Sequence, residues 1–118
     1  LIEKIHGHFP KTVARVSPTE AEIVKYFNNV HHAMSVTFAN ITYDVCKKLG
    51  ADYKNVYDAI TRRECINPHY LMANENMRGY GGHCLPKDTS AWNNLIRNLD
   101  LPYTLIQSVI DDNEKVSR

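Results

Sequence analysis

The sequence predicts an all-α domain built on one long central helix with shorter helices packed on it. Apolar residues recur at steps of three or four from Ile23 to Leu49, which is helical spacing. No proline or glycine interrupts this stretch before Gly50, whereas prolines and glycines divide the rest of the chain into shorter apolar segments. We therefore expect the shorter segments to cover the long helix.

The start and the end of the long helix are both marked in the sequence. In Ser17-Pro18-Thr19-Glu20 the serine can cap free backbone N–H groups, the proline suits the first helical position and the glutamate completes a capping box. Gly50 suits the position just after a helix. The predicted helix runs from about 18 to 49, which is about 48 Å at 1.5 Å per residue.

A helix of this length needs partners along its whole length. Its main apolar stripe consists of Ile23, Phe27, Val30, Met34, Phe38, Ile41, Val45 and Leu49. Ala33, Val36 and Ala39 add apolar character on a further flank, and we expect a second subunit there. The alternative is a helix that its own chain covers entirely.

Three shorter helices should follow the long one. Asp52 can cap a second helix that continues to about Arg62, and the polar, proline-containing stretch 64–78 should be a loop. A third helix is expected to begin near Pro86 or Asp88, and a last one near Tyr103. Their inward residues are predicted to be Val56, Tyr57 and Ile60, then Trp92, Leu95, Ile96 and Leu99, then Leu105, Ile106, Val109 and Ile110.

The first 16 residues predict a different kind of structure. A short helical pattern ends at Pro10, and the Val- and Thr-containing stretch 11–16 is typical of a strand. A helix and a strand this short cannot bury their own apolar faces. We therefore expect residues 1–16 to be the tail of a preceding α/β domain, residues 17–118 to be the helical domain, and the chain to be a fragment of a longer polypeptide.

Composition narrows the classes of protein. The net charge of +1, with acids and bases mixed, gives no reason to expect a nucleic-acid surface. No apolar run approaches the roughly 20 residues that span a bilayer, so we expect a soluble protein with no membrane partner. The 3 cysteines are an odd number without framework spacing, which favours free thiols in the cytoplasm.

The stretch from Gly79 to Asp88 has the features of a nucleophile site. Its glycines allow a tight turn before Cys84, and a helix is predicted to begin just after the thiol. A helix N-terminus and the nearby cation of Lys87 both favour the reactive thiolate. Asp88 lies four residues after Cys84 and could take or relay a proton. The alternative is that Asp88 only caps a helix and that Cys84 is a small buried apolar residue.

Two further groups of polar residues are candidates for a functional role. Lys25 and Asn29 lie one helical turn apart, and a cation with a neutral amide can stabilise an oxyanion, although the pair taken alone fits a solvated helix face equally simply. Cys65, His69, His83 and Cys84 match no standard zinc-ligand spacing, so we expect no metal site.

Two separated motifs resemble those of the UDP-glucose/GDP-mannose dehydrogenase family. The stretch Gly79–Asp88 resembles the family's active-site cysteine motif, and Glu20–Asn29 is similar to the start of its long central helix. The segments 49–52 and 111–113 also fall where the family has similar residues. The resemblance implies a central domain that dimerises, between an NAD-binding Rossmann domain and a nucleotide-sugar domain.

The resemblance also implies a reaction and a role for each site residue. The complete enzyme would oxidise a sugar C6 alcohol to a carboxylate in two hydride transfers to NAD, with UDP-glucose the favoured substrate and GDP-mannose the alternative. Cys84 would carry a thiohemiacetal and then a thioester. Lys25 and Asn29 would hold the oxyanion or the reacting water, and Asp88 would manage protons. Residues implied to line the sugar nucleotide are Tyr70, Leu71, Tyr80 and Gly81, and Lys87 is assigned to the cofactor.

Some features depart from the family pattern. Cys65 stands where many members have an arginine that reaches into the neighbouring subunit, and Arg62 and Arg63 lie slightly upstream. The GxGxxG phosphate loop of a dinucleotide site is absent from the sequence, so the fragment alone should be inactive. The alternatives from other classes are a helical dimerisation module without chemistry and a redox sensor that uses Cys65 and Cys84.

Overall fold

The computed structural model describes residues 15–117, which form four α-helices and no strand. They are α1 (Pro18–Leu49), α2 (Tyr53–Ile60), α3 (Cys84–Asn98) and α4 (Leu105–Val116). The connection from α2 to α3 contains turns and one isolated bridge between Asn74 and Met77. The all-α prediction is confirmed. The predicted strand and α/β tail fall almost entirely on residues 1–14, outside the described residues.

The long helix α1 has the predicted bounds. The Ser17 N–H donates to Glu20 Oε1 at 2.9 Å, and the Glu20 N–H donates to Ser17 Oγ at 3.1 Å, so the capping box is formed. Gly50 adopts φ 71°, and its N–H donates to the carbonyl of Lys47 at 3.3 Å. Local chemistry at the two ends therefore sets the length of the helix.

The core lies along one side of α1, in two clusters. Ala33 packs with Tyr80 and Val109, under α4 and the turn before α3. Further along α1, the second cluster joins the helix to α2 and to the connection after it; its buried members are Ala39, Cys46, Tyr53 and Ala73. The Cys46 thiol is buried. The small alanines let neighbouring backbone approach the helix closely.

The prediction of which flank of α1 stays uncovered is wrong. Ala33, at 0% exposure, and Ala39 are buried within the chain itself, and Val36 is partly covered. The residues left exposed belong instead to the main stripe, with Phe38 at 69% and Leu49 at 77% exposure. Periodicity marks both flanks as apolar but does not say which one the chain covers, since that depends on the packing of distant residues.

The bounds of the shorter helices differ from prediction by two to four residues. α3 begins at Cys84, two residues before Pro86. A proline is tolerated in the first turn of a helix, because the N–H that it lacks has no partner within the helix. α2 ends at Ile60, where the Thr61 N–H closes the last turn on Tyr57 O at 3.0 Å. α4 begins at Leu105.

The predicted inward faces of these helices are only partly covered. Ile106 and Val109 of α4 are buried as predicted. Exposed members of the predicted inward set are Val56, Ile60, Leu95, Leu99 and Leu105. Within the described residues, no helix is both long and apolar enough to cross a membrane.

Candidate active site

Cys84 is the first residue of α3, and its side chain is exposed. The turn before it uses glycine where L side chains are strained, since Gly79 has φ 69° and Gly82 has φ 78°. His83 precedes the helix but makes no side-chain capping hydrogen bond, so the first N–H groups of α3 are left to water or to a ligand. The alternative interpretation of Cys84 as a buried apolar residue is therefore wrong.

Asp88 lies one turn inside α3 and is 1% exposed. Its Oδ2 accepts a hydrogen bond of 2.6 Å from Asn29 Nδ2 of α1, and its Oδ1 lies 3.6 Å from Lys87 Nζ. A buried carboxylate requires such partners, because its charge is costly to remove from water. Asp88 is not the helix cap, and a site that holds both Asn29 and Asp88 is formed between α1 and α3.

Lys25 lies one turn before Asn29 and stays exposed. Its Nζ lies 5.8 Å from the centre of the Tyr26 ring, and Tyr26 in turn stacks on Trp92 of α3 at 5.9 Å. The stacked pair packs this part of α1 against the helix that carries Cys84. The structure thus brings Asn29 into contact with Asp88 and leaves the Lys25 ammonium on the adjoining surface.

Three of the residues implied to line a sugar nucleotide share one cleft of about 330 Å³. Tyr70, Tyr80 and Gly81 border it, together with Leu85, which follows Cys84 in the chain. Burial raises the pKa of the Tyr80 phenol, so that it remains neutral over the physiological range. The cleft therefore offers aromatic and backbone surface, and it reaches the residue that follows Cys84 in the chain.

Leu71 lies apart from this cleft. It borders a second groove, of about 500 Å³, together with Phe38, Ile60 and Cys65, and its carbonyl accepts a 2.7 Å hydrogen bond from the Tyr53 hydroxyl. Tyr70, its neighbour, has φ 66° and packs on the His32 ring at 4.1 Å. The reversal of side-chain direction between Tyr70 and Leu71 explains why adjacent residues face different cavities.

Sequence reasoning missed the residues that connect α4 to the segment before Cys84. Arg78 and Asn113 both bind this segment to α4. The available signal was the asparagine itself, since Asn in a helix interior is a poor helix former and often has a specific hydrogen-bonding partner. Among residues 15–117 no group of three or more His, Cys, Asp or Glu side chains is placed to hold a metal ion.

The molecule is thus an all-α domain that presents an exposed cysteine at a helix N-terminus, one helical turn before a buried aspartate that is hydrogen-bonded to a partly buried asparagine. The family described as UDP-glucose/GDP-mannose dehydrogenase, central domain, matches residues 19–115. The chain belongs to this family.

Curated relatives extend the comparison. The chain is 34% identical over 115 residues to a UDP-glucose 6-dehydrogenase of Bacillus subtilis, covering 98% of this chain and 24% of the relative. It is 33% identical over 116 residues to a GDP-mannose 6-dehydrogenase of Pseudomonas aeruginosa, covering 96% and 26%. The chain therefore spans about a quarter of the length of these relatives. No solved structure matches it significantly.

Proposed function

We propose that this chain is the central part of an NAD-dependent dehydrogenase that oxidises the C6 alcohol of UDP-glucose to the carboxylate of UDP-glucuronate. The observation that carries the proposal is the 2.6 Å hydrogen bond between Asn29 and Asp88, formed one helical turn from the exposed Cys84. It joins the residues of both family motifs at one place. The names of the relatives favour UDP-glucose, with GDP-mannose as the alternative.

Cys84 provides the covalent chemistry. Once the alcohol has lost a hydride and a proton, the thiolate adds to the aldehyde carbon, and the oxyanion takes up a proton to give a thiohemiacetal. Loss of the second hydride from that carbon, and of the hydroxyl proton, leaves a thioester. Water then adds to the thioester, the C–S bond breaks, the thiolate is restored and the uronic acid is released.

The neighbouring polar residues would stabilise charge and move protons. Asn29 uses one amide N–H for Asp88, which leaves its second N–H free to donate to an oxyanion. Lys25 adds a positive charge one turn away on the same helix. We assign to Asp88, which is held by Asn29 and lies close to Lys87, the exchange of protons with the reacting oxygen or water.

NAD+ supplies the oxidising equivalents, two per molecule of substrate. Residues 15–117 contain no strand leading into a glycine-rich turn, which is the usual dinucleotide cradle. We therefore assign NAD binding to other parts of the enzyme, and of this chain only Lys87 to its vicinity. The nucleotide part of the substrate is likewise assigned to the cleft of Tyr70, Tyr80 and Gly81 together with a further domain.

We further propose that the enzyme is a cytoplasmic homodimer that forms through α1. Phe27, Phe38, Val45 and Leu49 remain exposed along this helix, and an apolar stripe of this length is typical of an interface. A second copy of the chain offers the same stripe and can pair with it about a two-fold axis. A dimerisation module without chemistry is the second candidate function, and the same stripe favours it.

The deciding experiment replaces Cys84 by serine in the full-length protein. Formation of NADH and of uronic acid is measured with UDP-glucose and, separately, with GDP-mannose. Cys84→Ser should abolish acid formation, because serine is a far weaker nucleophile at neutral pH. Cys65→Ser is the matched control, since Cys65 is also exposed, and it should retain activity.

The outcomes separate the two candidate functions. Two NADH per uronic acid in the unchanged protein, lost in Cys84→Ser, would support the dehydrogenase. A Cys84→Ser variant of full activity would remove Cys84 from the mechanism. A full-length protein that dimerises but oxidises neither sugar nucleotide would favour the non-catalytic module.

A further inference from the structure

Asn113 of α4 binds both backbone groups of Tyr80, the second residue of the turn that leads to Cys84. The Asn113 Oδ1 accepts from the Tyr80 N–H at 2.7 Å, and the Asn113 Nδ2 donates to the Tyr80 carbonyl at 3.1 Å. A primary amide matches a peptide group in this way because it carries one acceptor and one suitably placed donor. The pairing fixes both the position and the orientation of Tyr80.

The residue before Tyr80 is packed against the same part of α4. A Cβ on Gly79 would lie 2.6 Å from Asn113 Oδ1 and 2.1 Å from Ser117 Oγ, so only glycine fits there. Arg78, one residue earlier, donates from Nε to the Val116 carbonyl at 2.9 Å. Arg78 and Tyr80 are thus hydrogen-bonded to the end of α4, and Gly79 between them leaves no room for a side chain against it.

The rest of the turn has no comparable support. Nothing lies within 4 Å of a Cβ built on Gly81 or Gly82, and glycine has the widest choice of backbone conformations. Cys84 lies in α3, so its backbone position relative to Asp88 is set by that helix. The anchor that Asn113 provides fixes the start of the turn that leads into the first, uncapped turn of α3, and with it the course of the chain just before the thiol.

We propose that Asn113 is a positioning residue for Cys84, which acts by holding the Gly79–Gly82 turn through the Tyr80 backbone. The inference rests on the proposed function, since it concerns the thiol of that site. It adds a residue from α4, the helix that ends the described chain, to a site otherwise formed by α1 and α3. An error of about 1 Å in the position of a reacting group can lower a rate by about 10²-fold.

The test compares Asn113→Ala with Asn94→Ala in the full-length protein. Asn94 is an exposed asparagine of α3 and serves as the matched control. Hydrogen–deuterium exchange of the peptide containing Tyr80 reports the two hydrogen bonds between Asn113 and the Tyr80 backbone, here called the clamp. This exchange should become about fivefold faster or more in Asn113→Ala only. In Asn113→Ala the rate at which iodoacetamide alkylates Cys84 should differ from that in the unchanged protein. The exposed Cys65 of the same molecule is the internal reference for this rate.

Kinetics provide a second measurement. In Asn113→Ala the kcat should fall by about 10²-fold because the thiol is misplaced, and the KM should rise as well, since Tyr80 and Gly81 border the proposed sugar-nucleotide cleft. If the unchanged protein shows no dehydrogenase activity, the proposed function fails, and exchange and alkylation still decide whether the clamp exists. If the protein is an active dehydrogenase but Asn113 does not position the thiol, Asn113→Ala should be as fast as the unchanged enzyme.

Asn113→Asp guards against a variant that merely unfolds. A protonated carboxyl group has the shape of the amide and can both donate to and accept from Tyr80, whereas a carboxylate can only accept. The carboxylate of Asn113→Asp can still accept from the Tyr80 N–H, and protonation restores the donor to the Tyr80 carbonyl. Protection of the Tyr80 amide, corrected for intrinsic exchange, should therefore be partly retained in Asn113→Asp and increase as the pH is lowered, whereas in Asn113→Ala it should stay lost at every pH. Equal protection and equal Cys84 alkylation in all variants would overturn the proposal.

Discussion

Asn29 and Asp88 are joined by a hydrogen bond of 2.6 Å, although 59 positions separate them in the chain. Asn29 lies in the first half of α1, and Asp88 lies near the start of α3. The bond therefore fixes the thiol-bearing helix against the long helix at the level of Cys84. A single contact serves both the packing of the two helices and the arrangement of the candidate site.

Removing the Asn29 amide should destabilise the fold. Asn29→Ala leaves the Asp88 carboxylate buried with one fewer donor, and loss of a hydrogen bond to a charged group costs about 1.5–3 kcal/mol. Urea unfolding measures the change in free energy, and Asn94→Ala, at an exposed position, should change it by less than about 0.5 kcal/mol. Equal stability of the two variants would mean that water replaces the lost donor.

Gly79→Ala should be more destabilising than Gly50→Ala. Both glycines have φ near +70°, where an L residue is strained by about 1–2 kcal/mol. A new methyl group at Gly50 meets nothing within 4 Å, whereas one at Gly79 collides with Asn113 and Ser117, which adds about 1–3 kcal/mol. Thermal unfolding of the pair isolates the collision, and indistinguishable values would show that α4 yields freely.

Protonation of His32 should destabilise the chain at acid pH. Burial, and then the charges of His31 and His69, lower the pKa of His32 below its usual 6.5. A depressed pKa in the folded state means that stability is fully present above pH 6.5 and is lost as the pH falls through the folded value. Unfolding free energies at pH 7.5 and 5.5 should therefore differ less in His32→Phe, which keeps an aromatic ring against Tyr70.

The control for this prediction is His83→Gln, at the exposed residue before α3. It should retain the dependence on pH of the unchanged chain. If His32→Phe retained the whole dependence as well, the acid sensitivity would have to come from other groups.

A charge placed on the exposed stripe should prevent dimerisation. Phe38→Glu introduces a carboxylate where the proposed interface would bury it, and an unpaired buried charge is strongly unfavourable. Sedimentation velocity should show twice the chain mass for the unchanged protein and a monomer for Phe38→Glu. Ser90→Glu, on the exposed surface of α3, should leave the dimer intact. A monomer in every case would remove α1 as the interface.

The sequence predicted best what depends on neighbouring residues. The capping box of Ser17 and Glu20 and the turn at Gly50 gave the bounds of α1, because each signal acts over a few residues. Which flank of α1 is covered depends on distant packing. Ala33 lies under Tyr80 and Val109, and no local pattern states that such residues will meet.

The same distinction between local signals and contacts of distant residues applies to the candidate site. Glycines before a cysteine indicated an accessible thiol at a helix start, and the structure has Cys84 in that environment. The resemblance assigns Asn29 and Asp88 to one site, but no local pattern predicts the hydrogen bond between them or the contact of Asn113 with Tyr80, since these act across chain separations of 59 and 33 positions. The resemblance also assigns Tyr70 and Leu71 to one substrate site, whereas in the structure they border different cavities.

The uncovered stripe of α1 has a consequence for how sequence changes act in the proposed dimer. In a two-fold interface each residue occurs twice, so one codon alters two positions of the same contact surface. In the proposed dimer, a single enlarged or shortened side chain at Phe38 would thus introduce two defects, and a single improved contact would be gained twice. Symmetry would make this face of the helix the part of the chain where small mutations have doubled effects.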